Sequence, residues 1–328
     1  MDIGKLNWDD LKTIIDSNRG NIRSDVIVSG GIGEDCSIVN YGDYECILST
    51  DPITAAESGI GKLAVNINCN DIASSGAEPV GILVTIMAPP SASIEDIKEV
   101  MVEISLECEK LNIQVLGGHT EVTDAVNRMV ISCTAVGKAI KDKTVLTCGA
   151  HVGDDIIVTK SIGMEGTYIA INEKFNKLEK YLSKDEIEEA KSYGEKLSVV
   201  EEGKIAGKFE VSSMHDITEG GVLGALWEVA KASNVGFKVY SNKMPVSNVT
   251  KKITEIFNID CLRFISSGSM LICVKDGNKL VENLKDNGIN AVIIGKIVES
   301  RGILVEGTEE IEVIPPKCDE LFKIYKAD

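Results

Sequence analysis

Residues 61–79 read GKLAVNINCNDIASSGAEP, the pattern of a buried helix that nevertheless carries regularly spaced polar residues. Four of these recur at every fourth position and therefore share one helical face: Lys62, Asn66, Asn70 and Ser74. Asn68, Asp71 and Ser75 lie on an adjoining stripe, and aliphatic residues cover much of the remainder. Because an unpaired buried polar group costs roughly 1–3 kcal/mol, these side chains require protein, metal or ligand partners, unless the helix is simply amphipathic with this side in water.

The composition favours a two-domain globular protein without a nucleic-acid or membrane partner. The chain has 328 residues, of which 44% are hydrophobic, so both halves can form a core. A formal net charge of −17 repels phosphate backbones. Nine cysteines, an odd number without a C-x-x-C pair, indicate reduced thiols and no zinc site. We recognise no signal peptide and no long apolar run, so we expect a cytoplasmic protein.

The first glycine-rich segment is SGGIGED at residues 29–35, which precedes a predicted strand. Glycine permits the close approach of a phosphate or of another backbone, which makes Gly31 and Gly33 candidate nucleotide contacts. A dinucleotide fingerprint has the opposite order, with its glycines after a strand and before a helix, so we reject a Rossmann domain. An ordinary turn before a strand explains the same residues.

Carboxylates recur at the ends of predicted elements in the first half of the chain. Asp35 follows the glycine turn, Asp51 ends a predicted strand, Asp71 lies on the polar helix, and Glu121 follows a glycine pair. Three or four converging carboxylates would bind Mg²⁺ through hard oxygen ligands, and the metal would in turn hold a polyphosphate. A chance scatter of the 51 acidic residues would also put some of them in turns.

The order of the predicted elements divides the chain into an N-terminal domain, residues 1–148, and a C-terminal domain, residues 149–328. Both contain strands and helices in an order that predicts mixed α/β sheets. In the second domain, SIGMEG at residues 161–166 and DITEGG at residues 216–221 each precede a predicted helix. Helix N-termini hold anions well, although a plain turn explains the first segment equally.

Five segments occur in the order seen in the AIR-synthase superfamily: GGIGEDCSIV, STDPI, IGKLAVNINCNDIASSGAEP, GGHTEV and HDITEGGVLGALWEVAKASNVGFKV. The chain resembles this superfamily over essentially its whole length, and its GKL and GGHTEVT segments are most similar to the HypE-like, AIR-synthase-related branch. The superfamily includes aminoimidazole ribonucleotide synthetase, thiamine-monophosphate kinase, selenophosphate synthetase and HypE-type hydrogenase-maturation proteins. NDIASSGAEP and DITEGG are the most specific of the matching blocks.

The resemblance implies a protein that binds ATP and Mg²⁺ and has a two-domain PurM-like fold. The N-terminal domains of a homodimer would pair into a barrel-like sheet, with the nucleotide site near their interface. Asp35, Asp51 and Asp71 match carboxylates that bind Mg²⁺ and phosphate, and Asp216 matches the acidic position of the second domain that faces the phosphates. We expect nucleotide contacts at Gly31, Gly33, Thr50, Lys62, Asn70, Gly117, Gly118 and Thr120, the last three in a loop at residues 117–120.

Three features depart from the pattern of the superfamily. Many relatives have GGDT or GGET where this chain has His119, which cannot replace a carboxylate as a hard Mg²⁺ ligand but can donate to a phosphate. We therefore take Asp71, His119 and Asp216 as candidate catalytic residues, with Glu121 as a compensating metal ligand. HypE ends in a reactive cysteine, whereas ten residues follow Cys318 here, and Cys36 is better explained as a strand residue than as a reactive thiol.

Three functions remain open. The first is an ATP-dependent enzyme of the phosphotransferase, ligase or dehydratase type, which passes the γ-phosphate to an oxygen of an unidentified small or protein-bound substrate. A maturation partner protein would fit this function. The second is a dimeric nucleotide sensor or scaffold without turnover, in which case the chain is not an enzyme. The third is thiamine-monophosphate kinase. No residue pattern names the phosphate acceptor.

Overall fold

In the computed structural model, the protein consists of two mixed β-sheets, each covered by helices. The model describes residues 6, 8–31, 33–54, 59–315 and 318–326. The first half contains α1 (Trp8–Ser17), β1 (Val26–Val28), β2 (Ser37–Asn40), β3 (Tyr44–Ile53), α2 (Ile60–Ser74), β4 (Glu78–Ala88), α3 (Ile94–Leu111), β5 (Gln114–Val122) and β6 (Val130–Ile140). The predicted mixed α/β class is thereby confirmed.

The second half begins with a strand that is buried along its whole length. It contains β7 (Asp155–Thr159), α4 (Met164–Glu173), α5 (Phe175–Leu178), α6 (Lys184–Ser192), α7 (Val200–Ala206), β8 (Val211–Asp216), α8 (Gly221–Ser233), β9 (Gly236–Tyr240), α9 (Asn248–Ile256), β10 (Met270–Val274), α10 (Gly277–Asp286), β11 (Ala291–Val298), β12 (Gly302–Glu306), β13 (Glu309–Glu312) and α11 (Phe322–Lys326). The division between residues 148 and 149 falls between the two sheets and stays a prediction.

The first sheet has the strand order β1-β2-β3-β6-β4-β5, and only the β4–β5 pair is parallel. The second has the order β13-β12-β9-β11-β7-β10-β8, and only the β9–β12 pair is parallel. β5 and β8 are therefore edge strands among the described residues. Each of these two edge strands carries one of the segments singled out in the sequence.

The loop predicted at residues 117–120 is wrong, because these residues belong to β5. Parallel pairing with β4 joins Gly117 to Leu83, Gly118 to Val84 and His119 to Thr85. A Cβ atom on Gly118 would lie 1.8 Å from the carbonyl oxygen of Val84, so glycine is required here by the approach of a neighbouring strand. Local sequence signals a turn at a glycine pair, but the partner strand supplies the hydrogen bonds that extend β5.

Helix α2 lies between the two halves of the molecule. Thirteen of its fifteen residues are buried, in agreement with the mostly buried helix that its composition predicts. It packs on β3 and β6 of its own sheet and against α7 of the second half. A Cβ atom on Gly203 of α7 would lie 2.2 Å from the carbonyl oxygen of Ala73, so the two helices meet backbone to backbone.

One hydrophobic core is shared by both halves. It contains Leu63 and Val65 of α2 together with Met164 and Ile169 of α4, and Leu321 near the end of the described chain. Two smaller cores fill the remaining faces of the second sheet. None of the helices within the described residues is long and apolar enough to cross a membrane.

Candidate functional site

The two polar stripes of α2 face different parts of the molecule. The stripe with four-residue spacing faces mainly the second half. Lys62 forms an ion pair with Glu195. The Asn70 side chain donates to the carbonyl oxygen of Leu197 at 2.8 Å and accepts from the backbone N–H of Val199 at 2.8 Å. This amide therefore holds the loop that precedes α7.

The rest of that stripe is also bound by protein groups. Asn66 Nδ2 donates to Glu107 Oε1 of α3 at 3.0 Å, and Ser74 Oγ donates to Asp216 Oδ1 at 3.2 Å. Protein contacts therefore explain the polarity of these positions, and the predicted nucleotide roles of Lys62 and Asn70 stay predictions. Ser74 is the point at which this stripe reaches the carboxylates described next.

The adjoining stripe of α2 faces the end of β3. The backbone N–H of Asp51 donates to Asn68 Oδ1 at 2.9 Å, and Asn68 Nδ2 donates back to the Asp51 carbonyl oxygen at 3.3 Å. Ser49 Oγ donates a hydrogen bond to Asp71 Oδ2. α2 and β3 thus fix the positions of Asp51 and Asp71 through a small set of buried amide and hydroxyl groups.

Four aspartates from both halves of the chain converge beside α2. Asp35 precedes β2, Asp51 lies on β3, Asp71 lies on α2, and Asp216 ends β8. Burial, reinforced by the negative charges of Asp216, Asp35 and Asp51, raises the pKa of Asp71 well above its usual range. Burial, reinforced by Asp35, raises the pKa of Asp216 to about 7.

This convergence produces a site that is electrostatically suited to a cation. Carboxylates that repel one another in a poorly solvated position are relieved by a divalent ion, and oxygen ligands are those that Mg²⁺ prefers. Asp216 Oδ2 is buried and has no hydrogen-bond partner among the described residues. The donor set therefore fits the Mg²⁺ that the sequence predicts, although the role of each predicted ligand stays a prediction.

His215 is the residue of this site that sequence analysis did not single out. It is 2% exposed and lies between two carboxylates, with Nδ1 3.0 Å from Asp35 Oδ2 and Nε2 2.8 Å from Glu228 Oε2. Burial by itself lowers the pKa of this imidazole, but the Asp35 and Glu228 carboxylates reverse that effect and raise it well above its usual value. The signal was available, since His215 directly precedes Asp216 in the quoted HDITEGG block.

The glycine turn lies against the second half of the protein. Gly31 forms a β-bridge with Glu34, and Ile32 lies outside the described residues. Gly33 has a φ of 75°, and a Cβ atom there would lie 3.2 Å from the carbonyl oxygen of Glu228 in α8. The turn therefore requires glycine for its backbone conformation and for the approach of α8, and nucleotide contacts at Gly31 and Gly33 stay predictions.

The residues of β5 are separated from the four aspartates within one chain. The register aligns Asp51, Cys133, Val84 and Gly118 in one row across four strands. Gly118 is consequently about 14 Å from Asp51, since neighbouring strands lie ~4.8 Å apart. Gly117, Gly118 and Thr120 therefore lie at the far edge of the first sheet from Asp51.

Thr50 and His119 also project to the opposite face of the sheet. Side chains alternate along a strand, and Ser49 faces α2, so Thr50 faces away and accepts a hydrogen bond from Thr134 at 3.0 Å. His119 Nε2 is 3.2 Å from Glu121 Oε2 on the same exposed face of β5. One chain therefore does not bring His119 and Glu121 to the aspartates, and their catalytic and metal-binding roles stay predictions.

A second polar cluster lies at the start of helices α4 and α8. Glu165 Oε2 accepts from the backbone N–H of Ser267 at 3.1 Å, and Asp319 Oδ2 accepts from that of Gly220 at 2.6 Å. Burial, reinforced by the charge of Glu219, raises the pKa of Glu165 to about 8 and that of Asp319 to about 7. Asp319 attaches the segment that follows Cys318 to the DITEGG turn.

Comparison with protein families matches both halves of the chain. Residues 33–139 match the N-terminal domain of AIR synthase related proteins, and residues 151–307 match the C-terminal domain. A protein of Methanocaldococcus jannaschii named for hydrogenase expression and formation is 30% identical over 293 residues, which are 85% of each chain. Carbamoyl dehydratase HypE of Rhizobium leguminosarum is 24% identical and covers 84% of this chain and 79% of its own.

Solved structures give the same fold. HypE in a HypE–HypF complex superimposes with a TM-score of 0.76 at 22% identity, over 93% of this chain and 99% of that one. HypE in complex with ATP gives a TM-score of 0.73 at 17% identity and covers 98% of both chains. Superposition over nearly the whole chain confirms the predicted two-domain PurM-like fold. At this level of sequence identity, the similarity concerns the fold alone.

We expect Asn70→Ala to destabilise the protein in the absence of any nucleotide. The substitution leaves the buried N–H of Val199 and carbonyl of Leu197 without partners, which lowers the free energy of unfolding by about 1–3 kcal/mol. Urea denaturation measures this change. Asn287→Ala, which removes an exposed asparagine whose side chain bonds its own helix end, is the matched control. Equal stability of the Asn70→Ala and wild-type proteins would contradict the assigned contact.

We expect Glu165→Gln to flatten the dependence of stability on pH. The folded-state pKa of about 8 lies above the unfolded value, so the stability associated with the protonated group is complete below the unfolded pKa and is lost as pH rises toward 8. Between pH 5 and 8, the free energy of unfolding of the wild-type protein should therefore fall more steeply with pH than that of Glu165→Gln, by about 1.4 kcal/mol per pH unit. Parallel curves for wild type and Glu165→Gln would refute this, and the exposed Glu299→Gln should remain parallel to wild type.

Proposed function

The chain belongs to the AIR synthase related family, and on that premise we propose that it is a Mg²⁺-dependent, ATP-using enzyme that activates an oxygen of its substrate by phosphoryl transfer. The observation that carries the proposal is the convergence of Asp35, Asp51, Asp71 and Asp216 from both halves of the chain. Four carboxylates in one partly buried place raise the cost of ionising one another, and a divalent cation would lower that cost.

The proposed chemistry requires positioning and charge neutralisation more than covalent catalysis. Asp35, Asp51 and Asp71 would hold Mg²⁺, which neutralises the oxygens of a transferring phosphoryl group. Ser49 and Asn68 keep Asp71 and Asp51 in place through the hydrogen bonds described above. Asp216 enters from the second half, so both halves must be docked for the site to be complete. The ATP-bound HypE structure supports ATP as the phosphate donor.

The proposal includes a homodimer formed through the first sheet. The face of this sheet opposite α2 exposes several large apolar side chains: Val80, Leu83, Leu116 and Ile140. A contiguous apolar surface is typical of a protein interface. Thr50, His119 and Glu121 project to this same face, so a second copy covering it would enclose the residues that one chain leaves apart from the aspartates.

We further propose that the protein acts in the cytoplasm and works with a maturation partner protein. The support for a partner is that HypE has been solved in a complex with HypF. The support for the cytoplasm is the set of cysteines without a predicted disulfide framework. The phosphate acceptor is not identified by any residue pattern described above.

We expect the purified protein to bind Mg-ATP, and Asp71→Asn to weaken that binding by at least about tenfold, or 1.4 kcal/mol. The substitution keeps the shape of the side chain and removes the charge that would hold the metal. Calorimetric titration measures the binding, and Asp286→Asn, at the exposed end of α10, is the matched control. Absence of binding by the wild-type protein at millimolar nucleotide would refute the proposal.

Turnover separates the remaining functions once binding is established. Steady ADP release with an acceptor supports the proposed enzyme, whereas binding without ADP release across a panel of acceptors supports a sensor or scaffold. Formation of thiamine diphosphate from thiamine monophosphate would assign the kinase alternative. The first of these outcomes is the one we expect.

We expect Leu83→Glu to convert a dimer to a monomer, because it introduces a charge into the apolar face of the first sheet. Sedimentation velocity at micromolar concentration measures the mass. Leu106→Glu replaces a similarly exposed leucine on α3, away from that face, and should remain dimeric. A monomeric wild-type protein, or identical behaviour of the two variants, would contradict the proposed interface.

A further inference from the structure

Two side chains, one from each half of the protein, hold the backbone of the loop before α7 (residues 196–199). Asn70 of α2 binds two peptide groups of this loop, as described above. Lys160, which directly follows β7, binds the other two: its Nζ donates to the carbonyl oxygen of Lys196 at 3.1 Å and to that of Ser198. Alternate residues of the loop are therefore held from opposite halves of the protein.

Lys160 has a backbone conformation that lysine rarely adopts. Its φ is 53°, in the left-handed region that disfavours residues with a Cβ atom. Its side chain is 20% exposed, and Nζ forms an ion pair with Glu202 Oε1 at 2.8 Å. Burial lowers the pKa of this amine, and the Glu202 carboxylate opposes that effect. Backbone strain of this kind persists only where the surrounding contacts fix the residue, and it is a reason to look for a function of Lys160.

The loop before α7 rests on the turn that precedes β10. Gly268 in this turn has a φ of 101°, and a Cβ atom there would lie 2.8 Å from the carbonyl oxygen of Lys196. The next residue, Ser269, accepts a hydrogen bond from the backbone N–H of Ile217 at 3.0 Å through its carbonyl oxygen. Ile217 directly follows Asp216 in the chain. Backbone contacts therefore connect the loop that Lys160 holds to the residue next to Asp216.

We propose that Lys160 is a positioning residue for the phosphoryl transfer: it holds the loop before α7 and thereby sets the position of Asp216 relative to Asp71. Asn70, which binds the same loop from the first half, directly precedes Asp71 in α2. A loop that is fixed on both sides acts as a spacer between the halves that carry the two carboxylates. This role rests on the proposed function, in which Asp71 and Asp216 serve one site.

Hydrogen exchange of the full-length protein without nucleotide, followed by mass spectrometry, tests this connection. Lys160→Met keeps the aliphatic stem and removes the amine, so we expect the slow amides of a peptide covering residues 211–219 to exchange about tenfold faster. Lys296→Met is the matched control, because Lys296 binds Asp155 at the other end of β7, away from the loop. Unchanged exchange in Lys160→Met, or equal acceleration in the two variants, would overturn the proposal.

A second pair of variants decides the question if Lys160→Met does not fold. Asn70→Ala should also accelerate exchange of residues 211–219, because it releases the same loop from the other side. Asn66→Ala removes a buried amide of the same helix that bonds Glu107 of α3 and not the loop, so it should leave that exchange unchanged. Unchanged exchange in Asn70→Ala, or an equal acceleration in Asn66→Ala, would refute the connection.

Mg-ATP affinity distinguishes positioning from a general loss of stability. If Lys160 acts through Asp216, Lys160→Met weakens binding by about tenfold, and the variant with both Lys160→Met and Asp216→Asn binds no more weakly than Asp216→Asn alone. Wild-type affinity in Lys160→Met, or losses that add fully, would overturn the role of Lys160. If the wild-type protein does not bind Mg-ATP, the proposed function fails, and the exchange of residues 211–219 still decides whether Lys160 holds Asp216 in place.

Discussion

The burial of polar groups along α2 is the constraint on which both halves of the protein depend. In a helix with thirteen buried residues, the side-chain amides and the carboxylate need partners, because each unsatisfied group costs about as much as a lost hydrogen bond. Asn70 meets this requirement with the backbone of the second half, and Asn68 meets it with the backbone of β3. One helix therefore joins the halves on one side and assembles the aspartates on the other.

Sequence reasoning predicted the helices and strands well where local signals were strong. The mostly buried helix predicted from residues 61–79 is α2, and the mixed α/β class predicted for both halves is that of the two sheets. The strand that includes residues 117–120 could not be predicted, because its extension depends on pairing with β4, which is distant in sequence. The same non-local pairing separates His119 from the aspartates of its own chain.

Sequence pattern grouped the polar residues of α2 correctly into two stripes but could not determine what each stripe contacts. In the sequence, Lys62 and Asn70 resemble ligand-binding positions. In the structure, Lys62 forms an ion pair with Glu195, and Asn70 is hydrogen-bonded to the loop before α7. Asp216 was predicted to be a site residue from the resemblance of its segment to the superfamily, whereas the neighbouring His215 was not. A histidine flanked by Asp35 and Glu228 becomes recognisable only when three elements far apart in the chain are brought together.

The shared core also determines when the protein can finish folding during synthesis. Leu63 of α2 packs in one cluster with α4 residues and with Leu321, which leave the ribosome long after α2 has been made. Until then, the face of α2 that will meet the second half is uncovered in the nascent chain. Lysine and asparagine on that face make the waiting surface less prone to aggregate than an aliphatic one would be. The residues that later join the two halves thus protect the first half while it is alone.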